Sequence, residues 1–265
     1  MSPNVLSIAG SDPSGGAGIQ ADLKTFSAHG CYGLTAITAL TVQNTRGVFD
    51  IHVLPPAFVA AEIDALFADS SIAAVKIGML ASPALAEAVS ATLIRHKPAF
   101  IVLDPVLAAS TGAALASDSL ATAIVQSFAS TVDLITPNLT EAARLCGAAV
   151  PTTIGEMERL ATRLHRLGFR AVLLKGGHLD AATCDDLYVD GTTTKIYAGK
   201  RVATRNTHGT GCTLSSAIAA FVAHGLALDQ AIEAAKAFVT RALETADELH
   251  VGGGPGPLNH FHARG

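Results

Sequence analysis

The feature that most constrains this chain is residues 202–225. A short β-like run, Val202-Ala203-Thr204-Arg205, gives way to Gly209-Thr210-Gly211-Cys212, and Leu214, Ile218, Phe221 and Val222 then recur at helical spacing until Gly225 closes the helix. A strand, a glycine turn and a helix are expected. Two glycines let the backbone turn sharply and leave N–H groups unpaired at the helix start, where the helix dipole also favours negative charge. Such a place suits a phosphate or a phosphoryl group in transfer. The same dipole is expected to lower the pKa of the Cys212 thiol, which makes it a candidate base or nucleophile. The pattern equally describes a glycine loop that starts a core helix and buries a cysteine.

Elsewhere the chain alternates. Val5-Leu6-Ser7-Ile8-Ala9 reads as a buried parallel strand ending in Gly10, and Ile19, Leu23 and Phe26 then line one face of a helix stopped by Gly30. Strand-like runs end in Gln43-Asn44, Gly78-Met79, Asp104-Pro105, Pro137-Asn138 and Lys175-Gly176-Gly177-His178. Helical stretches precede them, one carrying Leu85, Val89 and Leu93, and another opened by a capping box of Thr153 and Glu156. Alternation of this kind predicts a mostly parallel sheet with helices on both faces, and a ligand beyond the carboxyl ends of the strands. Gln43, Met79, Asp104, Asn138, Glu141, Lys175 and Cys212 are thereby gathered into one cleft. Leu187-Tyr188-Val189, Asp190-Gly191 and the run from Thr193 to Ala198 carry a hairpin signal, so an antiparallel edge is expected.

Gly16-Ala17-Gly18-Ile19-Gln20-Ala21 matches a dinucleotide fingerprint but lies six residues past its strand, and the second strand ends in an amide pair rather than an acid. An amide suits a heterocycle better than a ribose. Asp22 falls near the same cleft, or is an acid favoured by the helix start.

The 265 residues are 49% hydrophobic and 15% charged, enough for an extensive core, with a net charge of -4 and no basic run to attract nucleic acid. The first residues carry neither a leader-like basic region nor a membrane-length apolar run, so a cytoplasmic protein without membrane association is expected. Cys31, Cys146, Cys184 and Cys212 show no C-x-x-C pairing and fit reduced thiols. His260 and His262 lack further metal ligands at suitable spacing. The glycine-rich residues 251–257 cannot form regular structure, and with no interior linker or repeat the chain reads as one domain, residues 1–265.

The opening Ile8-Ala9-Gly10-Ser11-Asp12-Pro13-Ser14-Gly15-Gly16-Ala17-Gly18-Ile19-Gln20-Ala21-Asp22 closely resembles that of the hydroxymethylpyrimidine/phosphomethylpyrimidine kinases. Gln43-Asn44-Thr45, Lys76-Ile77-Gly78-Met79, Asp104-Pro105-Val106, Thr136-Pro137-Asn138-Leu139-Thr140-Glu141, Lys175-Gly176-Gly177-His178, Asn206-Thr207-His208-Gly209-Thr210-Gly211-Cys212 and Gly256-Pro257-Leu258-Asn259-His260 resemble that family in the same order. The resemblance implies a ribokinase-like three-layer α/β/α fold. It also implies a thiamine-pathway enzyme that uses ATP twice, first on 4-amino-5-hydroxymethyl-2-methylpyrimidine and then on its monophosphate.

By the same resemblance, Gly209, Thr210 and Gly211 form the anion hole and Cys212 stands where many ribokinase-like kinases carry the catalytic Asp, either as base or to orient the substrate. Asp104 and Glu141 would organise Mg²⁺, with Asn138, Glu141, Lys175 and Thr207 serving ATP. Gly10, Asp22, Gln43, Met79 and Val106 would surround the aminopyrimidine, and a homodimer is suggested. The polar stretch after Val106 is altered here to Ala109-Ser110-Thr111-Gly112. A pyridoxal/pyridoxine kinase and a non-catalytic pyrimidine- or B6-binding regulator are the alternatives.

Overall fold

The computed structural model describes residues 2–107, 118–177 and 183–263. Ala109-Ser110-Thr111-Gly112 and His178 lie outside the described residues.

One nine-stranded sheet runs through the molecule. Its strands are β1 (Asn4–Ser11), β2 (Tyr32–Asn44), β3 (Gly47–Val53), β4 (Ile72–Ile77), β5 (Ile101–Leu103), β6 (Leu134–Ile135), β7 (Val172–Leu174), β8 (Asp186–Val189) and β9 (Thr194–Tyr197). They are ordered β3-β2-β1-β4-β5-β6-β7-β8-β9. The six from β2 to β7 pair in parallel, and β3 at one edge and β8–β9 at the other pair antiparallel. The expected hairpin is therefore present, and a second antiparallel edge accompanies it.

Alternation along each buried strand makes two cores. Leu6, Ile8, Val75, Ile77, Ile101, Leu103, Ile135, Val172 and Leu174 face the helices α2 (Pro56–Asp69), α3 (Pro83–His96), α4 (Asp118–Phe128), α5 (Leu139–Cys146) and α6 (Ile154–Arg166). Val5, Ala74, Val102, Leu134 and Leu173 face α1 (Gly18–Ala28), α7 (Thr210–Ala223) and α8 (Leu228–Glu244). This is the expected three-layer α/β/α arrangement. Helix α6 opens with the reciprocal capping box of Thr153 and Glu156. The connection β1–α1–β2 builds toward one edge, while β4 to β7 build toward the other, so the order reverses beside β1. A crevice forms at the carboxyl ends of strands flanking such a reversal.

One local expectation needs correction. Residues 202–205 form no strand: with β9 closing the sheet they have no ladder to join, and Thr204 instead bonds Asp247 through its hydroxyl at 2.6 Å. Helix α7 is entered from an irregular segment braced by residues 254–260. Gly254 N–H donates to Thr45 Oγ1 at 3.1 Å, Gly256 N–H to Asn206 Oδ1 at 2.8 Å, and His208 N–H to the Gly256 carbonyl at 3.1 Å. The glycine-rich stretch before them has no regular structure, as its composition requires.

Candidate active site

Asp104 follows β5 and Lys175 follows β7, so both side chains emerge at the carboxyl edge of the sheet. Lys175 Nζ donates to Asp104 Oδ1 at 2.7 Å, and both are largely shielded from water. Helix α7 packs across β1, β4 and β5 and brings its first turn over this pair. A Cβ on Gly211 would stand 3.0 Å from Lys175 Nζ and 3.3 Å from Asp104 Oδ2. A side chain there would press on the cation and the carboxylate that lie beneath the helix N-terminus. Gly209, the N-cap, has φ of 87° and its Cα backs onto the Gly16 carbonyl, so a side chain there is excluded twice. Thr210 Oγ1 donates to the Thr207 carbonyl at 2.7 Å, and Thr207 itself is exposed.

Asn138 and Glu141 start α5 with a capping box. Glu141 N–H donates to Asn138 Oδ1 at 2.9 Å and Asn138 N–H donates to Glu141 Oε2 at 2.8 Å. A parallel bridge between Asn138 and Lys175 fixes this corner against the end of β7. Burial pushes the Glu141 carboxyl up to about 7, with Lys175 opposing and Asp104 adding to the rise. Burial alone would lower the Lys175 ammonium, but Asp104 and Glu141 hold it above its ordinary value. Two buried carboxylates thus share one lysine, an excess of negative charge that a divalent cation relieves. Among the described residues no three His, Cys, Asp or Glu side chains gather as a metal cage. One or two carboxylates fit magnesium, which keeps water and takes phosphate oxygens as its other ligands.

The other side of the crevice carries the residues expected at the pyrimidine. Met79 lies over Gly10, where a Cβ would stand 2.6 Å from Met79 Cε. Gln43 and Val106 are half-buried. Asp22 is placed differently from a substrate-facing acid. It has no exposed surface, and its carboxylate accepts from Lys76 Nζ at 2.8 Å to each oxygen, from Ser7 Oγ at 2.6 Å and from Ser216 Oγ at 2.7 Å.

The expectation of a lowered Cys212 pKa is overturned. Burial pushes the thiol up to about 11; Lys76 and the Gly18 N–H pull it down, while Asp22 and Asp104 push it up again. The half-charge of a helix start does not offset desolvation and two carboxylates.

Sequence reasoning missed the pair of Asp12 and His208. Asp12 Oδ1 accepts from Ser14 N–H at 2.8 Å and Ser14 Oγ at 2.6 Å, while Oδ2 accepts from Gly16 N–H at 3.1 Å, Ala17 N–H at 2.9 Å and His208 Nε2 at 2.7 Å. Burial raises Asp12, but the bonds from His208 and Ser14 outweigh it and hold the carboxyl at about 2. Lys76 was also missed, although a lysine inside an apolar strand was a readable signal that a buried anion must answer it.

The sequence pattern of the family described as phosphomethylpyrimidine kinase matches residues 12–259. The hydroxymethylpyrimidine/phosphomethylpyrimidine kinase of Rhizobium meliloti strain 1021 is 47% identical over 262 residues, covering 99% of this chain and 98% of that protein. This chain belongs to the phosphomethylpyrimidine kinase family. A phosphomethylpyrimidine kinase from Clostridium difficile 630 superposes with a TM-score of 0.81 at 38% identity, over 91% of this chain and 99% of that one. A pyridoxal kinase from Staphylococcus aureus, in complex with AMP-PCP and pyridoxal, superposes with a TM-score of 0.91 at 30% identity, over 99% and 95%. The phosphomethylpyrimidine kinase family thus shares its ribokinase-like fold with a pyridoxal kinase.

Proposed function

We propose that this chain transfers the γ-phosphoryl group of ATP to the hydroxymethyl group of 4-amino-5-hydroxymethyl-2-methylpyrimidine, and a second phosphoryl group to the resulting monophosphate, for thiamine biosynthesis. The observation that carries the proposal is the approach of Lys175 and Asp104 beneath Gly211 at the start of α7. Phosphoryl transfer asks a protein for alignment and charge stabilisation more than for covalent chemistry. The N–H groups of the turn Gly209-Thr210-Gly211 receive the transferring oxygens, that of Thr210 by giving up its 3.3 Å bond to the Thr207 carbonyl, and Lys175 supplies a cation on the same side. Asn138 and Thr207 border the nucleotide. Asp104 and Glu141 would hold Mg²⁺, which when bound with ATP neutralises phosphate charge.

Gln43 reads the aminopyrimidine edge, with Gly10, Met79 and Val106 enclosing the ring. Asp22 supports the site from below through Lys76 and Ser216. Cys212, a thiol in the unliganded protein, orients the hydroxymethyl group; a role as base would require substrates to reverse its raised pKa. The chain acts as a single kinase domain, as a homodimer, in the cytoplasm where ATP and reduced thiols coexist.

The higher TM-score to a pyridoxal kinase favours one second reading, phosphorylation of pyridoxal. Incubation with ATP, Mg²⁺ and either heterocycle, with products resolved by mass spectrometry, separates the two. Pyrimidine mono- and diphosphate are expected. Monophosphate alone would remove the second step, preferential pyridoxal phosphate would replace the substrate, and no product from either would refute the kinase reading.

A further inference from the structure

His208 stands where three segments meet. Its ring packs on Gly16, its Nε2 reaches Asp12, and its backbone bridges to Pro257. Gln43 is the fourth neighbour, with a terminal amide atom 3.4 Å from His208 Nε2 and the other 3.2 Å from Thr41 Oγ1.

Counting hydrogens settles how these groups face one another. Asp12 accepts from four donors besides His208 and is held ionised, so at the 2.7 Å contact His208 Nε2 must carry the proton and give it to Asp12. That nitrogen then has no lone pair to offer, and its N–H dipole repels a second donor. Thr41 has one hydroxyl proton, directed at the Ser11 carbonyl at 2.8 Å, so its oxygen is available as an acceptor. An amide with nitrogen toward His208 and oxygen toward Thr41 would set donor against donor and acceptor against acceptor. Turning the terminal amide by half a revolution removes both conflicts. The oxygen then faces the His208 N–H and the nitrogen donates to Thr41 Oγ1.

We propose that His208, held by Asp12, is a positioning residue that sets the orientation of the Gln43 carboxamide and so decides the hand of the donor–acceptor edge offered to the substrate. This inference rests on the reading of Gln43 as the residue that meets the aminopyrimidine. An aminopyrimidine presents an amine donor beside a ring-nitrogen acceptor, and it can pair with an amide through both only when the two edges have matching hand. The ring nitrogen of pyridoxal is flanked by carbon, so pyridoxal cannot make that double contact. The Asp12–His208 pair therefore favours the aminopyrimidine over pyridoxal without touching either.

Two variants and one spectroscopic measurement test this. His208→Leu removes the directing N–H, while His208→Gln keeps an N–H donor near the same place. For His208→Leu the KM for hydroxymethylpyrimidine should rise about tenfold, the worth of one misdirected hydrogen bond. Its kcat should change less, and the KM for pyridoxal should stay within about twofold. His208→Gln should recover most of the loss. Equal effects on both heterocycles, or no recovery in His208→Gln, would overturn the proposal. If the wild-type protein phosphorylates neither compound, the functional reading has failed, and the geometry is still decided by NMR of the ¹⁵N-labelled wild-type chain. His208 Nε2 should resonate as a protonated nitrogen, and the Gln43 amide protons should show cross-relaxation to the Thr41 methyl rather than to the His208 ring. The opposite pattern would sink the inference whatever the activity.

Discussion

Replacing Lys76 by Met tests whether the buried cation and Asp22 answer one another. Lys76 and Asp22 have no exposed surface, and two 2.8 Å contacts join them. With Lys76→Met the carboxylate keeps the hydroxyls of Ser7 and Ser216 but loses its counter-charge, and breaking a buried pair in this way costs about 3–5 kcal/mol. Asp22→Asn leaves the ammonium uncompensated and should cost about the same. Strict additivity would put the double variant at about 6–10 kcal/mol. Removing both charges together leaves only the rearrangement of two serine hydroxyls around a neutral amide, roughly 1–3 kcal/mol. Urea unfolding of the wild-type protein, both singles and the double gives the cycle directly. A thermal midpoint lowered by roughly 6–20 °C in Lys76→Met should accompany it. A double variant as damaged as the sum of the singles would refute the reasoning, because the two charges would then not be each other's partners.

Three further outcomes follow from the loop and its surroundings. Gly209→Ala should lower stability as well as activity, since it faces both a φ of 87° and the Gly16 carbonyl; Gly211→Ala should fold normally and lose about 100-fold in kcat by displacing Lys175, which melting curves and steady-state rates together will separate. Alkylation of Cys212, mapped by peptide mass spectrometry, should be slow at neutral pH and accelerate toward pH 11; a rate that levels off near pH 7 would contradict the raised thiol. Asp12, held at about 2 against an ordinary 3.8, contributes stability that is fully present above pH 3.8 and disappears as pH falls through 2. The stability difference between wild type and Asp12→Asn should therefore shrink on acidification over that range, as measured by urea unfolding at each pH.

The sequence made the strand ends legible because each buried parallel strand is a short apolar run stopped by a polar or glycine residue at the crevice. Asp104 and Lys175 could be placed together on that ground alone. Strand β3 was not legible, since its Phe49, Asp50 and His52 are exposed and its pairing depends on the neighbouring edge of β2. Residues 202–205 misled in the opposite sense: β-prone residues form a strand only where an edge is free to receive them. Asp22 illustrates a third limit. Its position beside the crevice was readable, but its partners Ser7, Lys76 and Ser216 come from β1, β4 and α7, and no local pattern reveals a network assembled across that distance. The Cys212 thiol was misjudged because a helix start is visible in a sequence, whereas the burial that opposes it is not.

The bracing of the entry to α7 by residues 254–260 bears on how the protein is made. Asn206 and Gly256 are 50 positions apart, and Thr213 Oγ1 meets His260 Nε2 at 2.9 Å across a similar span. A chain synthesised from its amino end can complete the sheet and pack α7 well before that strap has left the ribosome. The turn Gly209-Thr210-Gly211 would then exist without its support. Support for the start of α7 should accordingly come later than the sheet itself, once residues 254–260 have emerged and docked.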